Sequence, residues 1–334
     1  LYTSVYDESK LKLFKGRKVH STFLQNWPLA RRKHQLFAPL RPLAFESLDL
    51  SGYDLVISSS SAEAKGVITS TETMHISYIH TPVRYYWSAY DDYLANPGFG
   101  LLNPLVRLVM PAMVSKLKRW DYAAAQRPDS LLANSKEVSG RITKYYNRQS
   151  KVINPPVDFD RFSKISRNKE DYFLVVSRFV PYKRIDLAIK ACNDLGNKLI
   201  IAGTGPELSN YKKISGETIE FVENPSDAKV NQLYSGAKAF IFSAEEDFGI
   251  TPVEAMASGV PVICFGTAGA SETVIDGKTG IYHAKQTVES LKHAIGELDK
   301  IKLKESDIRN RAKHFSQEHF KRELGVFISE KIKA

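Results

Sequence analysis

Five short apolar runs between residues 172 and 265 constrain the fold more than any other feature. They fall at 172–177, 198–202, 219–222, 239–243 and 261–265. Helix-like segments at 184–195, 206–214, 226–236, 251–258 and 270–275 alternate with them. Short runs that are apolar throughout read as strands buried on both faces. Strands alternating with helices require parallel crossovers, which predicts an α/β, doubly wound domain. The first half carries a thinner version of the same rhythm, with strand-like runs at 54–59, 75–80 and 130–135 and a long helix over 104–126. Pro82 is placed for the first position of a helix, and Ser135 for the cap of a helix through Tyr146. A strand at 152–158 runs into the stiff pair Pro155-Pro156, the expected boundary. With 334 residues there is material for two cores. The expected organisation is a first domain over 1–157, a second over 158–315 and a C-terminal helix over 316–334. Residues 287–334 read as helical.

Composition removes several classes. Cys192 and Cys264 lie far apart within apolar runs, which argues for reduced, buried thiols and a cytosolic compartment. No run reaches the roughly 18 apolar residues of a membrane-spanning helix. The net charge of +10 is concentrated in the first half. No zinc-finger spacing, RNA-binding aromatic motif or basic-region helix accompanies it, so nucleic acid is not an expected partner. In residues 1–50, Lys10, Lys12, Lys15, Arg17, Lys18 and Arg31-Arg32-Lys33-His34 are interleaved with Phe14, Phe23, Leu24, Trp27 and Phe37. Such a segment suits an anionic membrane surface, and equally a solvated basic face over an ordinary core.

Ligands of doubly wound domains bind beyond the carboxyl ends of the strands. After the run 172–177 come Arg178, Lys183 and Arg184; after 219–222 come Glu223 and Asn224; after 261–265 come Gly266, Gly269 and Glu272. After 239–243 comes the stretch from Glu246 to Glu254, with Gly249, Ile250, Thr251 and Pro252 between the two acids. Backbone N–H groups of Gly249, Ile250 and Thr251 at a helix start suit a phosphate, and a carboxylate on each side suits sugar hydroxyls. Read alone, the stretch is also an ordinary acidic helix start favoured by the helix dipole. Cations, a helix N-terminus and two acids on one sheet edge are the combination a sugar nucleotide requires. Gly203-Thr204-Gly205 is only a fragment of a glycine-rich turn. In the first half, His80 ends its own strand and is followed by Arg84, Tyr85, Tyr86 and Trp87, which suit an acceptor sugar or core packing. Asp158-Phe159-Asp160 reads as linker, and Asp91-Asp92 as adjacent side chains pointing apart. No ligand spacing for a metal stands out.

The runs Val176 to Arg184 and Glu246 to Glu254 resemble retaining glycosyltransferase family 4. Tyr78 to Trp87, Leu48 to Ser60 and Ile153 to Asp158 resemble its bacterial mannosyltransferase-type members of O-antigen and polysaccharide synthesis. The likeness covers nearly the whole chain to about residue 320. It implies a GT-B fold, two Rossmann-like doubly wound domains facing across a cleft, with the last helix returning to the first domain. It implies retention of anomeric configuration without a metal or other cofactor. Arg178 and Lys183 would neutralise the donor diphosphate, Glu246 would contact donor-sugar hydroxyls and Glu254 the ribose. Ile250 and Thr251 would offer N–H groups to phosphate, and His80 would sit by the donor sugar.

The implied reaction moves mannose from GDP-mannose to a glycan or polyprenyl-linked glycan. The protein would then be cytoplasmic and peripheral on the inner face of the plasma membrane. Two departures bear on this. The family's first strand and glycine-rich loop have no counterpart here, so an N-terminal piece is expected to be missing. Glu223 stands where many relatives have glycine in the base-binding turn. Two other readings use the same donor site: a donor-binding partner subunit without turnover, and a GT-B sugar-nucleotide epimerase.

Overall fold

The computed structural model describes all residues except 10–13, 15, 32, 33, 96, 99 and 334. Lys10, Lys12, Lys15, Arg32 and Lys33 of the basic segment thus lie outside the described residues. The chain divides into two compact units, one of residues 1–134 and 138–152, the other of 135–137 and 153–334.

In the first unit, β1 (Tyr2–Thr3) pairs only with β2 (His20–Ser21), and α1 (Arg41–Glu46) precedes the main sheet. That sheet holds β3 (Leu55–Ser60), β4 (Met74–Ile79), β5 (Ser130–Ala133) and β6 (Lys151–Val152), all parallel and in chain order. Its crossovers carry α2 (Tyr90–Ala95), α3 (Asn103–Ala124) and α4 (Lys136–Tyr146). No helix begins at Pro82. Residues 82–89 form turns, with the N–H groups of Tyr86 and Trp87 both donating to Val83 O at 3.0 and 3.1 Å. The strand expected over 152–158 stops at Val152, because Pro155 and Pro156 have no N–H for a ladder. Asp158 is not linker. Its carboxylate caps α5 (Phe159–Ser163), accepting from Arg161 N at 3.2 Å.

The second unit is one six-stranded parallel sheet: β7 (Phe173–Arg178), β8 (Leu199–Thr204), β9 (Ile219–Glu223), β10 (Ala239–Phe242), β11 (Val262–Phe265) and β12 (Gly280–His283). The spatial order is β12-β11-β10-β7-β8-β9. Counted within the unit this is the doubly wound order 3-2-1-4-5-6, which reverses between β7 and β10. The connections are α6 (Ile185–Leu195), α7 (Leu208–Ile214), α8 (Asp227–Gly236), α9 (Ile250–Ala257) and α10 (Ala268–Thr273). The helices α11 (Val288–Leu298), α12 (Glu305–Lys313) and α13 (Gln317–Lys333) follow. Successive strand residues point to opposite faces. Leu174, Ile200, Phe240 and Val262 join one core with Val253, Met256 and Ile308, whereas Phe173, Val175, Leu199 and Ile263 join another with Ile189 and Leu291. Both faces are covered, which is why these runs are apolar throughout. The strand β12 has no strong apolar signal, and its entry is steric: a Cβ on Gly280 would lie 2.0 Å from Val262 O.

The buried His75 in β4 gives the first unit a pH dependence. Its Nε2 shares a 2.9 Å hydrogen bond with Ser58 Oγ, and burial pulls its pKa down from 6.5 to about 4, opposed in part by Asp129. A depressed histidine pKa contributes stability that is full above the unfolded value and lost as pH falls from 6.5 through 4. The contribution is about 3 kcal/mol. Urea midpoints measured between pH 7 and pH 4 should fall more steeply for the wild type than for His75→Asn; equal slopes would contradict it.

Candidate active site

The reversal of strand order sets where the site lies. Between β7 and β8 the ladder is paired through to Arg178↔Thr204, but between β7 and β10 it is paired only at Ala239↔Phe173 and Phe240↔Leu174. Beyond those pairs β7 and β10 diverge, opening a crevice at their carboxyl ends. Val176, Ser177, Lys183, Arg184, Ser243 and Ala244 line it. Sequence reasoning named Lys183 and Arg184 but missed Ser243, whose buried hydroxyl has no hydrogen-bond partner among the described residues. Nothing in its local pattern marks it.

Lys183, in the loop after β7, forms an ion pair with Glu246, in the loop after β10. Both side chains are mostly buried, at 16% and 17% exposure. The crevice is therefore spanned by a cation and an acid that hold one another in place, drawn from positions 63 residues apart in the chain. Arg178 ends β7 with an exposed side chain. Arg184 does not contribute a free cation: its guanidinium bonds Asp186 at the start of α6, with Nε 3.2 Å from Oδ1.

The chain after Glu246 turns on Gly249 (φ +83°), the cap residue of α9. That left-handed conformation favours glycine, and a Cβ there would also press to 3.2 Å from the Phe242 ring. The helix begins at Ile250, one residue earlier than the sequence suggests. Pro252 falls in the first turn, where a missing N–H leaves no intrahelical bond unmade. The loop is fixed from the other side by Gly269 N–H, donating to Glu246 O at 2.9 Å. A Cβ on Gly269 would lie 2.3 Å from Phe248 Cα, so this approach needs glycine.

Glu254, on the second turn of α9, accepts from the Tyr234 hydroxyl at 3.2 Å. Burial raises its pKa, with the Tyr234 bond and the nearby Arg161 acting against that. Arg161 was not picked out from sequence. Its guanidinium bonds Asn231 Oδ1 at 3.0 and 3.1 Å and pairs with Asp227, tying α5 to α8 beside the acid. Asn224 follows β9 in the left-handed region (φ +48°), its N–H donating to Gly203 O at 3.1 Å. The adjacent Glu223 is paired with Lys212 at 2.7 Å. Gly203 and Gly205 answer to strand packing: a Cβ on either would strike the backbone of Ser177 or Phe179.

In the first unit, His80 follows β4 and shares a 2.8 Å hydrogen bond from Nε2 to Ser59 Oγ at the end of β3, so its ring is oriented at the strand ends. The polar atoms of Tyr85 and Trp87 after it are bonded inward. Tyr86 is fully buried, so it has no face on which a sugar could stack. The Tyr85 hydroxyl donates to the buried Glu63 at 2.9 Å, with Arg41 bonded to both groups. Trp87 Nε1–H donates to the buried Asp121 at 2.7 Å and the ring stacks on Tyr145. Arg84 is half-buried. The carboxylate partners Glu63 and Asp121 lie 22 and 34 residues away in the chain, which no local pattern reveals.

The crevice at the strand-order reversal is thus bridged by Lys183 and Glu246, and the N-terminus of α9 follows in the chain after Gly249. Residues 156–315 match the family model for glycosyl transferases, group 1. A D-inositol 3-phosphate glycosyltransferase of Mycobacteroides abscessus is 25% identical over 76% of this chain and 65% of its own length. A GDP-mannose-dependent alpha-(1-6)-phosphatidylinositol monomannoside mannosyltransferase of Mycolicibacterium smegmatis is 31% identical over 43% and 45%. An O-antigen chain mannosyltransferase, RfbU, of Salmonella typhimurium is 28% identical over 62% and 61%. The chain thus spans between about half and just under two thirds of these relatives. Among solved structures, Anabaena Alr3699/HepE in complex with UDP and glucose superposes with a TM-score of 0.63 at 16% identity, covering 96% of this chain and 88% of that one. That likeness concerns the fold, two Rossmann-like units of the GT-B type. The match to the group 1 model thus covers just under half of the chain, and mannosyltransferases are among the proteins it is similar to. The group 1 segment contains every residue of the crevice.

Proposed function

We propose that this chain transfers a sugar, mannose from GDP-mannose, to a glycan or polyprenyl-linked glycan in cell-surface polysaccharide synthesis, with retention of configuration and without a metal. The observation that carries the reading is the Lys183–Glu246 ion pair at the divergence of β7 and β10. Lys183, with Arg178 at the strand end, would stabilise the negative charge that grows on the departing diphosphate. The N–H groups of Ile250 and Thr251 would receive a phosphate oxygen. Glu246 would orient donor-sugar hydroxyls and Glu254 the ribose, and His80 would sit by the donor sugar. The preference for GDP-mannose draws on the relatives' names; the choice of acceptor draws on the O-antigen relative. The anionic inner face of the membrane is the proposed place of work.

The test is product formation with GDP-mannose and UDP-sugars, with and without a lipid-linked acceptor, in EDTA. Transfer that needs acceptor, tolerates EDTA, retains the anomer by NMR and falls roughly 100-fold in Glu246→Ala is expected. Conversion of the donor without acceptor would favour an epimerase. Saturable donor binding with no product would favour a partner subunit.

A further inference from the structure

The helix α3 is apolar on two sides. Its inner side buries Met110, Val114, Leu117 and Ala124. Its outer side leaves Leu105, Leu108 and Val109 exposed by 59, 78 and 53%. These three are spaced i, i+3, i+4, and the same stripe continues through Ala112 to Lys116 and Arg119, both exposed. One face of the helix therefore reads apolar over two turns and cationic over the next two. The flank of Arg107 and Lys118 is occupied: Arg107 donates to the carbonyls of Leu94 and Ala95, and the Lys118 ammonium lies over the rings of Trp87 and Tyr90. The only acid of α3, Asp121, is fully buried.

We propose that this outer face of α3 docks on a bilayer surface that contains anionic lipid. The leucines and valine would enter the acyl boundary while Lys116 and Arg119 meet the headgroup phosphates. Charge decides the occupant. A two-fold contact between copies centred on Leu108 would set the exposed cations of α3 against one another, with no exposed acid on that helix to meet them, whereas lipid phosphates supply the complement. The proposal rests on the membrane part of the proposed function and places it on α3, whereas the sequence offered residues 1–50 as a membrane-facing or solvated basic segment.

The experiment is co-sedimentation of the whole chain with phosphatidylcholine vesicles, with and without phosphatidylglycerol, alongside a donor thermal-shift assay. Wild type should bind the anionic vesicles, more weakly in high salt. Leu108→Glu with Val109→Glu should lower that partition by roughly tenfold or more. Lys116→Glu with Arg119→Glu should abolish the preference for anionic lipid. Donor shifts should be unchanged in both. Three results would overturn the proposal: no binding by wild type, binding by the leucine–valine variant equal to wild type, or a dimer by size exclusion that this variant splits. Vesicle binding without any donor shift would count against the proposed function and leave the docking face standing.

Discussion

Lys183→Met is expected to lower kcat/KM for sugar transfer by roughly 100- to 1000-fold. Methionine keeps the length and much of the volume of the side chain, so the change removes a charge with little change in packing. The ammonium is 16% exposed at the carboxyl end of β7, where it pairs with Glu246. In so enclosed a place a unit charge acts on a developing diphosphate with little solvent screening. The loss should fall mainly in kcat if the charge matters most as the bond breaks, and mainly in KM if it serves binding alone. Thermal unfolding serves as the control, because Lys183 lies in the short 3-10 turn Pro181–Lys183, outside the strands and α-helices. A Lys183→Met enzyme as active as wild type would remove this residue from the site.

Asp121→Ala is expected to cost about 3–5 kcal/mol of stability, the largest single effect predicted outside the site. Asp121 Oδ1 is 2.5 Å from Lys65 Nζ, and both side chains are almost wholly buried. Its other oxygen accepts from Trp87 Nε1 at 2.7 Å and from the Tyr146 hydroxyl at 2.8 Å. Removing the carboxylate leaves a buried ammonium with the Ala62 carbonyl and the Trp120 and Tyr146 rings but no counter-charge, and takes the acceptor from two donors. Replacing both partners, Lys65→Met with Asp121→Leu, removes the uncompensated charge and should recover most of the loss. Urea unfolding distinguishes these outcomes. A near-neutral Asp121→Ala, or a double variant as unstable as the single one, would contradict the account.

These two cases mark what could be read from the chain. The carboxyl edge of the sheet was legible because a doubly wound sheet brings every strand's carboxyl end to one edge. Arg178, Lys183, Asn224 and Glu246 could therefore be assigned to it from strand boundaries alone. What could not be read is pairing across that edge. Nothing local to Lys183 or Glu246 says that each is the other's partner, or that Arg184 is taken by Asp186. The same limit explains Tyr85, Tyr86 and Trp87. Aromatic residues beside a strand end suit a sugar, but Glu63 and Asp121, distant in sequence, draw their polar atoms inward. Tyr86 shows the consequence: burial raises its pKa and leaves no ring face in contact with solvent. Arg161 was invisible for a related reason, since its role comes from α8 and α9 folding beside α5. The glycines were legible as turns but not as contacts, and Gly269 acquires its meaning only from Phe248 lying against it.

The crevice between β7 and β10 is proposed to bind a nucleoside diphosphate sugar through Lys183. Calorimetric titration of wild type and Lys183→Met with GDP-mannose, UDP-glucose and free GDP tests it most directly. Saturable binding of a nucleotide sugar to wild type, weakened at least tenfold or about 1.4 kcal/mol by the substitution, is the predicted result. Binding indifferent to Lys183→Met, or no binding of any nucleotide sugar by a folded wild-type chain, would contradict it.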